Sequence, residues 1–422
     1  MLFMIAFLPI SEVAKFGSAF QIIVFVLVNL ALVGFREGAV EGYDPEFVAP
    51  LYPWVQIFGM ASGLVVLTQI GALPFAGAAV ITVVSALYYY LYARDRVDRE
   101  GAARAGVRES AADLAVERTR ELFESSERYK ALVSLSRTTT AAAKRDMVRM
   151  ASDLSRLRSE SLSVVRFVEV PHRVFADDTP TAREADPSEW FIDDGEGLSS
   201  PEEIRRTLLP DTEMDISYLE VESESTKKAI VEYASLEDFD LLFLERRREF
   251  LSSSLFGDDT AWVLKNAPCD VALVEDRGFD GADRIAVVTQ RGRYDPLKLL
   301  LADAIAEEED ATLTLMQAVG EDAPETQLQT IEEYQSELAS LCTVPVDTRI
   351  IQNDNEVAGL ARFSADFDLL VTGTGRRGIT GTLMGSPEDA LVDSVDCTAL
   401  MVQTREDRRR GVVEKIVMDY IF

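Results

Sequence analysis

Histidine is all but missing from this chain: His172 is the one histidine in 422 residues, and Cys269, Cys342 and Cys397 are the only cysteines. Three scattered thiols supply neither a disulfide framework nor a zinc site, and no metal centre is expected. One histidine cannot build the usual Ser–His–Asp or Cys–His arrangements, so most hydrolase mechanisms are disfavoured and no enzyme is expected. Positive charge is also short. Lys and Arg number 42 against 72 Asp and Glu, the net charge is −30, and only eight of the basic residues are lysine. Such a surface repels DNA, RNA and anionic headgroups, which are bound through basic side chains on phosphates. A carboxylate-rich surface that prefers arginine to lysine fits a salt-loving cytoplasm, where salt screens self-repulsion.

The charge is unevenly placed. From Met1 to Tyr92 the charged residues are Glu12, Lys15, Arg36, Glu37, Glu41, Asp44 and Glu46. Apolar runs at Phe16–Phe35, Leu51–Leu73 and Pro74–Ala93 approach the roughly 20 residues a helix needs to span a bilayer. Met1–Ile10 is apolar but too short to span, and it lacks the flanks of a signal peptide. Tyr88, Tyr89, Tyr90 and Tyr92 precede Arg94, Arg96, Arg99, Arg104 and Arg108, as an aromatic belt and a positive-inside exit would. These features predict three transmembrane helices plus a partial one, with the loop Arg36–Pro50 inside and the turn Ala72–Pro74 outside.

The stretch "SEVAKFGSAFQIIVFVLVNLALVGFRE", followed by "VAPLYPWVQIFGMASGLVVL", resembles the C-terminal helices of amino acid–polyamine–organocation permeases over about Met1 to Arg96. The resemblance implies that earlier permease helices, in the same gene product or a separate chain, are partners. The interrupted helices that carry substrate in such a fold are not in this sequence.

The acidic remainder contains a repeat. "EDFDLLFLERR" (Glu237–Arg247) matches "ADFDLLVTGTG" (Ala365–Gly375), and "NAPCDVALV" (Asn266–Val274) matches "SVDCTALMV" (Ser394–Val402). Asp240 and Cys269 stand 128 positions before Asp368 and Cys397; upstream, "KALVSLSR" matches "RIAVVTQR" at an offset of 154. The excess in the first copy is assigned to Phe175–Glu203, a Pro-, Asp- and Glu-rich stretch that reads as a surface loop. Each copy has short β-branched runs alternating with helical segments: Ala131–Leu135, Leu162–Val170, Ile216–Val221, Leu241–Leu244 and Val271–Val274, then Ile285–Val288, Leu313–Ala318, Val346–Ile351, Leu369–Val371 and Ala399–Val402. That pattern predicts a doubly wound parallel-sheet α/β domain per copy.

"TGTGRRGITGTLMGS" (Thr372–Ser386) resembles the glycine signature of universal stress proteins, whose fold is related to the adenine nucleotide alpha hydrolases. Gly375, nine residues, then Gly385 and Ser386 fit; Gly373 stands one residue too close. The resemblance implies an adenine nucleotide, ATP among them, held by Gly373, Gly375, Arg376, Gly385 and Ser386, with Thr289 at the end of the first strand. Glycines let backbone N–H groups approach phosphate, and a serine at a helix start can hold an anion. Where members of this family carry an acidic residue, this chain has Val288, Thr289 and Gln290; the first copy keeps only Gly257, followed by Asp258. That copy is read as structural. Arg246, Arg247 and Arg248 read as a surface charge run, and His172 as a turn residue.

The expected architecture is an α-helical membrane segment followed by two α/β domains. Residues 1–94 form the membrane helices, 95–128 a linker helix, 129–278 and 283–404 the two copies, and 405–422 a tail. The two copies are expected to pair as an intrachain pseudo-dimer, with a homodimer as a further association and no nucleic acid partner. The implied function is a cytoplasmic regulatory module of a multi-pass amino acid transporter in the cell membrane. The alternative is a membrane-tethered nucleotide-binding stress protein with no transport role.

Overall fold

The structure is a computed structural model that describes residues 10–37, 54–88, 102–124, 129–136, 139–158, 161–170, 181–187, 190–191, 215–246, 259–290, 294–374 and 386–405. His172, the loop 375–385 and the tail beyond Arg405 lie outside the described residues. The chain divides into two compact units, residues 1–111 with 420–422, and residues 112–419.

In the first unit, α1 (Ile10–Glu37) packs on α2 (Trp54–Gln69) and α3 (Ala72–Tyr88). A Cβ on Gly63 would lie 3.0 Å from Val26 Cγ2, so the small residue is what lets α1 and α2 approach. Ala19 and Leu67 are buried, with Ile22, Ile23 and Ile70 packed against them. Gly71, at φ +121°, separates α2 from α3 in a conformation that favours glycine.

Among the described residues no helix is long and apolar enough to cross a membrane. The 16 residues of α2 and the 17 of α3 fall short of the roughly 20 required. The Gly71 break ends the helix that the apolar run 51–73 suggests. The expected membrane-helical segment, and with it the multi-pass localisation, is thereby overturned. What the structure shows for the larger unit is an α/β fold.

In that unit, residues from Ala112 onward of α4 (Ala102–Glu124) bury Ala112, Ala115 and Val116 in its core. The first half runs β1 (Ala131–Ser136), α5 (Ala141–Arg158), β2 (Ser161–Glu169), β3 (Thr181–Glu184), β4 (Asp215–Ser223), α6 (Thr226–Leu236), β5 (Leu241–Glu245), α7 (Asp259–Asn266) and β6 (Asp270–Glu275). The second runs β7 (Arg284–Val288), α8 (Asp295–Glu309), β8 (Thr312–Val319), α9 (Glu325–Ala339), β9 (Val346–Gln352), α10 (Glu356–Phe363), β10 (Leu369–Gly373), α11 (Pro387–Ser394) and β11 (Thr398–Gln403).

The two halves do not form separate sheets. Eleven strands make one sheet in the order β3-β4-β2-β1-β5-β6-β11-β10-β7-β8-β9. Pairing is parallel within each half apart from β3, and β6 meets β11 antiparallel, with Val274 opposite Leu400. Strands covered on both faces explain the continuous apolar runs. Ala131, Val133 and Leu135 face a layer that includes α5, α8 and α9, whereas Leu132 faces one that includes α6, α7, α10 and α11. The repeated aspartates do the same work in each half. Asp240 Oδ2 accepts from Lys130 N at 3.0 Å, and Asp368 Oδ2 accepts from Asp283 N and Arg284 N at 2.9 and 3.0 Å, each fixing the start of its half's first strand.

The segment read as a surface loop departs from that expectation. Thr181–Glu184 pairs antiparallel with β4 at the sheet edge, and Trp190 and Phe191 are fully buried. Trp190 lies edge-on to Tyr218 at 6.1 Å, with the Arg166 guanidinium 4.8 Å from its ring centroid. Lys144 Nζ donates to the Trp190 carbonyl at 3.2 Å. An indole buries more apolar surface than its polar flanks lose, which is why this segment docks.

Candidate functional site

In the second half the first strand, β7, lies between β8 and β10. The helix that follows β7, α8, and the helix that follows β10, α11, lie on opposite faces of the sheet, and such a switch point opens a crevice. Four short segments meet there: Val288–Gln290, Tyr294 ahead of α8, Gly373–Thr374, and Ser386–Asp389 at the start of α11. Val371 pairs with Val287, so Gly373 lies two residues beyond that pair, alongside Thr289. Of the predicted site residues, Thr289, Gly373 and Ser386 are at this crevice. Gly375, Arg376 and Gly385 fall outside the described residues.

Each of the three is engaged by the chain itself. Thr289 is fully buried; its N–H donates to Met316 O at 2.9 Å, and its Oγ1 accepts from Gln335 Nε2 at 3.1 Å. Gly373 is covered by an aromatic ring: a Cβ there would lie 2.9 Å from Tyr294 Cδ2. Ser386 caps α11, with Asp389 N donating to Ser386 Oγ at 3.0 Å and Ser386 Oγ donating to Asp389 Oδ2 at 3.1 Å. This cap engages the Asp389 N–H, one of the helix-end donors, within the chain.

Beneath the crevice lies a polar network that belongs to none of the sequence motifs. Asp295 and Lys298 are both fully buried, with Lys298 Nζ 2.5 Å from Asp295 Oδ1. Lys298 also donates to the Val288 carbonyl at the end of β7. Tyr334 donates to Asp295 Oδ2 at 2.7 Å, and Gln290 N donates to the same oxygen at 3.2 Å. Gln290 Nε2 reaches Glu388 Oε1 at 3.2 Å. A signal was available: Lys144 stands 154 positions before Lys298, the repeat's own offset, and it too is buried.

The first half differs at the equivalent place. The 128-residue offset sets Glu245 where the second half has Gly373, and Glu245 Oε2 accepts from Thr139 Oγ1 at 2.6 Å. A carboxylate therefore stands in the first half where the second half has a glycine covered by the Tyr294 ring. Among the described residues no group of His, Cys, Asp and Glu could hold a metal ion.

Residues 138–275 match the sequence model of the Universal stress protein family. The match falls on the first half, so it comes from the body of the domain and not from the glycine signature of the second. No curated protein matches the chain. Among solved structures, the chain is similar to a universal stress protein from Archaeoglobus fulgidus DSM 4304, at 12% identity over 67% of this chain and 98% of that one, with a TM-score of 0.43. It is similar to the cytoplasmic domain of a prokaryotic cation chloride cotransporter at 13% identity, over 68% of this chain and 99% of that one, with a TM-score of 0.44. A universal stress protein in complex with cAMP aligns at 22% identity over 30% of this chain and 99% of that one, with a TM-score of 0.26.

Proposed function

We propose that the larger unit is a non-catalytic regulatory module whose second half binds an adenine nucleotide at the β7–β10 crevice. The first half serves as its intrachain pseudo-dimer partner. One contrast carries the reading: Gly373 in the second half stands where the first half has Glu245. A carboxylate at that place repels phosphate, and a glycine leaves the backbone approachable. The choice of adenine nucleotide rests on the glycine signature Thr372–Ser386. Tyr294 covers Gly373, so a ligand entering there displaces the ring, and that movement is what a partner could sense.

Titration of the full chain with ATP tests the proposal, with cAMP as the comparison ligand. Saturable binding is expected, and Gly373→Glu, which copies the first half, is expected to abolish it. Absence of saturable binding by either nucleotide overturns the reading. ATP turnover above background that disappears in the same variant overturns the non-catalytic part. The partner proposed is an amino acid permease, on the sequence resemblance of residues 1–96; its test is co-purification of such a protein with the native chain.

A further inference from the structure

Two arginines from outside the second half hold α11. Arg246, the residue after β5, is mostly buried and was expected on the surface. Its Nη1 donates to Asp393 Oδ1 at 2.9 Å and to Glu275 Oε2 at 3.1 Å, and its Nη2 donates to Asp389 Oδ1 at 3.2 Å. Arg277, just past β6, donates to Val392 O near the other end of the same helix at 2.7 Å, and to Cys397 O beyond it at 2.8 Å. Glu275 stands between them, 3.1 Å from Arg246 and 3.8 Å from Arg277. Burial disfavours the charged Arg246 guanidinium, but the carboxylates of Asp393, Glu275 and Asp389 overcome that penalty and raise its pKa.

Asp389 is shared between the halves. One of its oxygens accepts from Arg246, and the other accepts from the Ser386 hydroxyl. A continuous chain thus runs from the first half, through Asp389, to the edge of the crevice. We propose that Arg246 is a positioning residue for the second half's ligand: by holding Asp389 it fixes the start of α11 and neutralises the carboxylate nearest the place a phosphate takes at Ser386. The proposal rests on the nucleotide reading above. It makes ligand binding in one half depend on docking of the other, and linkage makes the dependence mutual.

The test uses the full chain and two readouts: ATP affinity, and hydrogen exchange of the Asp389–Ser394 amides without ligand. Arg246→Gln is expected to weaken ATP binding about tenfold, within the roughly 5–150-fold range of such couplings. Adding Asp389→Asn is expected to recover most of that loss, because a neutral amide no longer opposes phosphate. Arg246→Lys is expected to keep most of the affinity. Purely structural damage predicts that the double variant binds worse than either single one, and that result overturns the proposal. If the parent chain binds no nucleotide, the ligand reading fails by itself and exchange decides the positioning. Faster α11 exchange in Arg246→Gln with rescue by lysine supports it, and unchanged exchange overturns it.

Discussion

A lysine with no access to water needs a counter-charge, and Lys298 finds one at Asp295, one helical turn away on α8. Tyr334 and Gln290 N take up the remaining capacity of that carboxylate. Removing one partner leaves a buried charge uncompensated, at a cost of about 3–5 kcal/mol. Lys298→Met is therefore expected to lower the urea unfolding midpoint sharply. Adding Asp295→Leu is expected to recover part of the loss, since an apolar pair no longer has ions to desolvate. A double variant as unstable as the single one would show that the pair has no such coupling. At this scale the sequence was only partly legible. Ser386 and Gly373 announce themselves by type and place, because a cap serine and a strand-end glycine have few other uses. The capping box that engages Ser386 depends on a side-chain rotamer at Asp389, which sequence spacing permits but does not require.

Individual strands were legible because both faces of a parallel strand are covered. The run Leu313–Ala318 becomes β8, one residue longer at each end, and Leu369–Val371 becomes the start of β10. β3 could not be read this way. Its residues, Thr-Ala-Arg-Glu, have no apolar run, and they form a strand because β4 offers an unpaired edge. Trp190 and Phe191 were equally hidden in a polar context, although an indole in an acidic stretch is itself a sign of docking. Trp190→Ala is expected to cost about 3–5 kcal/mol, as large-to-small changes at buried aromatics do. Urea unfolding followed by circular dichroism measures it. A loss below about 1 kcal/mol, the size of an ordinary surface change, would mean that the segment contributes little to the core.

The arrangement of the two halves was the least legible level. The offsets of 128 and 154 show that a unit is repeated, but not which strand edges meet; β6 against β11 depends on two exposed edges matching. The halves also touch through α5 and α8, where Arg149 pairs with Glu309 at 2.8 Å and lies 3.8 Å from Asp280. Carboxyl groups crowd this seam. Burial first, then the neighbouring Asp276 carboxyl, pushes Asp146 up from 3.8 to about 7, with Arg145 opposing. Burial, Glu309 and Glu308 likewise raise Asp153, against Arg149. The folded chain therefore keeps a proton on Asp146 that the unfolded chain releases above about pH 4. The sign follows: this contribution favours the fold at low pH and is lost as pH rises through about 4 to 7. The urea midpoint is expected to fall across that window, and Asp146→Asn is expected to flatten the fall. An equal fall in the variant would assign the effect to other groups.

The two halves are joined by only eight residues, 276–283, from the end of β6 to the start of β7. So short a tether keeps β6 near β11 at a local concentration in the millimolar range. A junction with only micromolar intrinsic affinity would then stay closed about 99.9% of the time. Intimate pairing of the halves therefore does not demand a tight interface. The β6–β11 junction is apolar at its centre, with Val274 and Leu400 fully buried, whereas the α5–α8 seam carries the Arg149–Glu309 ion pair, and the tether lets that polar seam be weak without the halves parting.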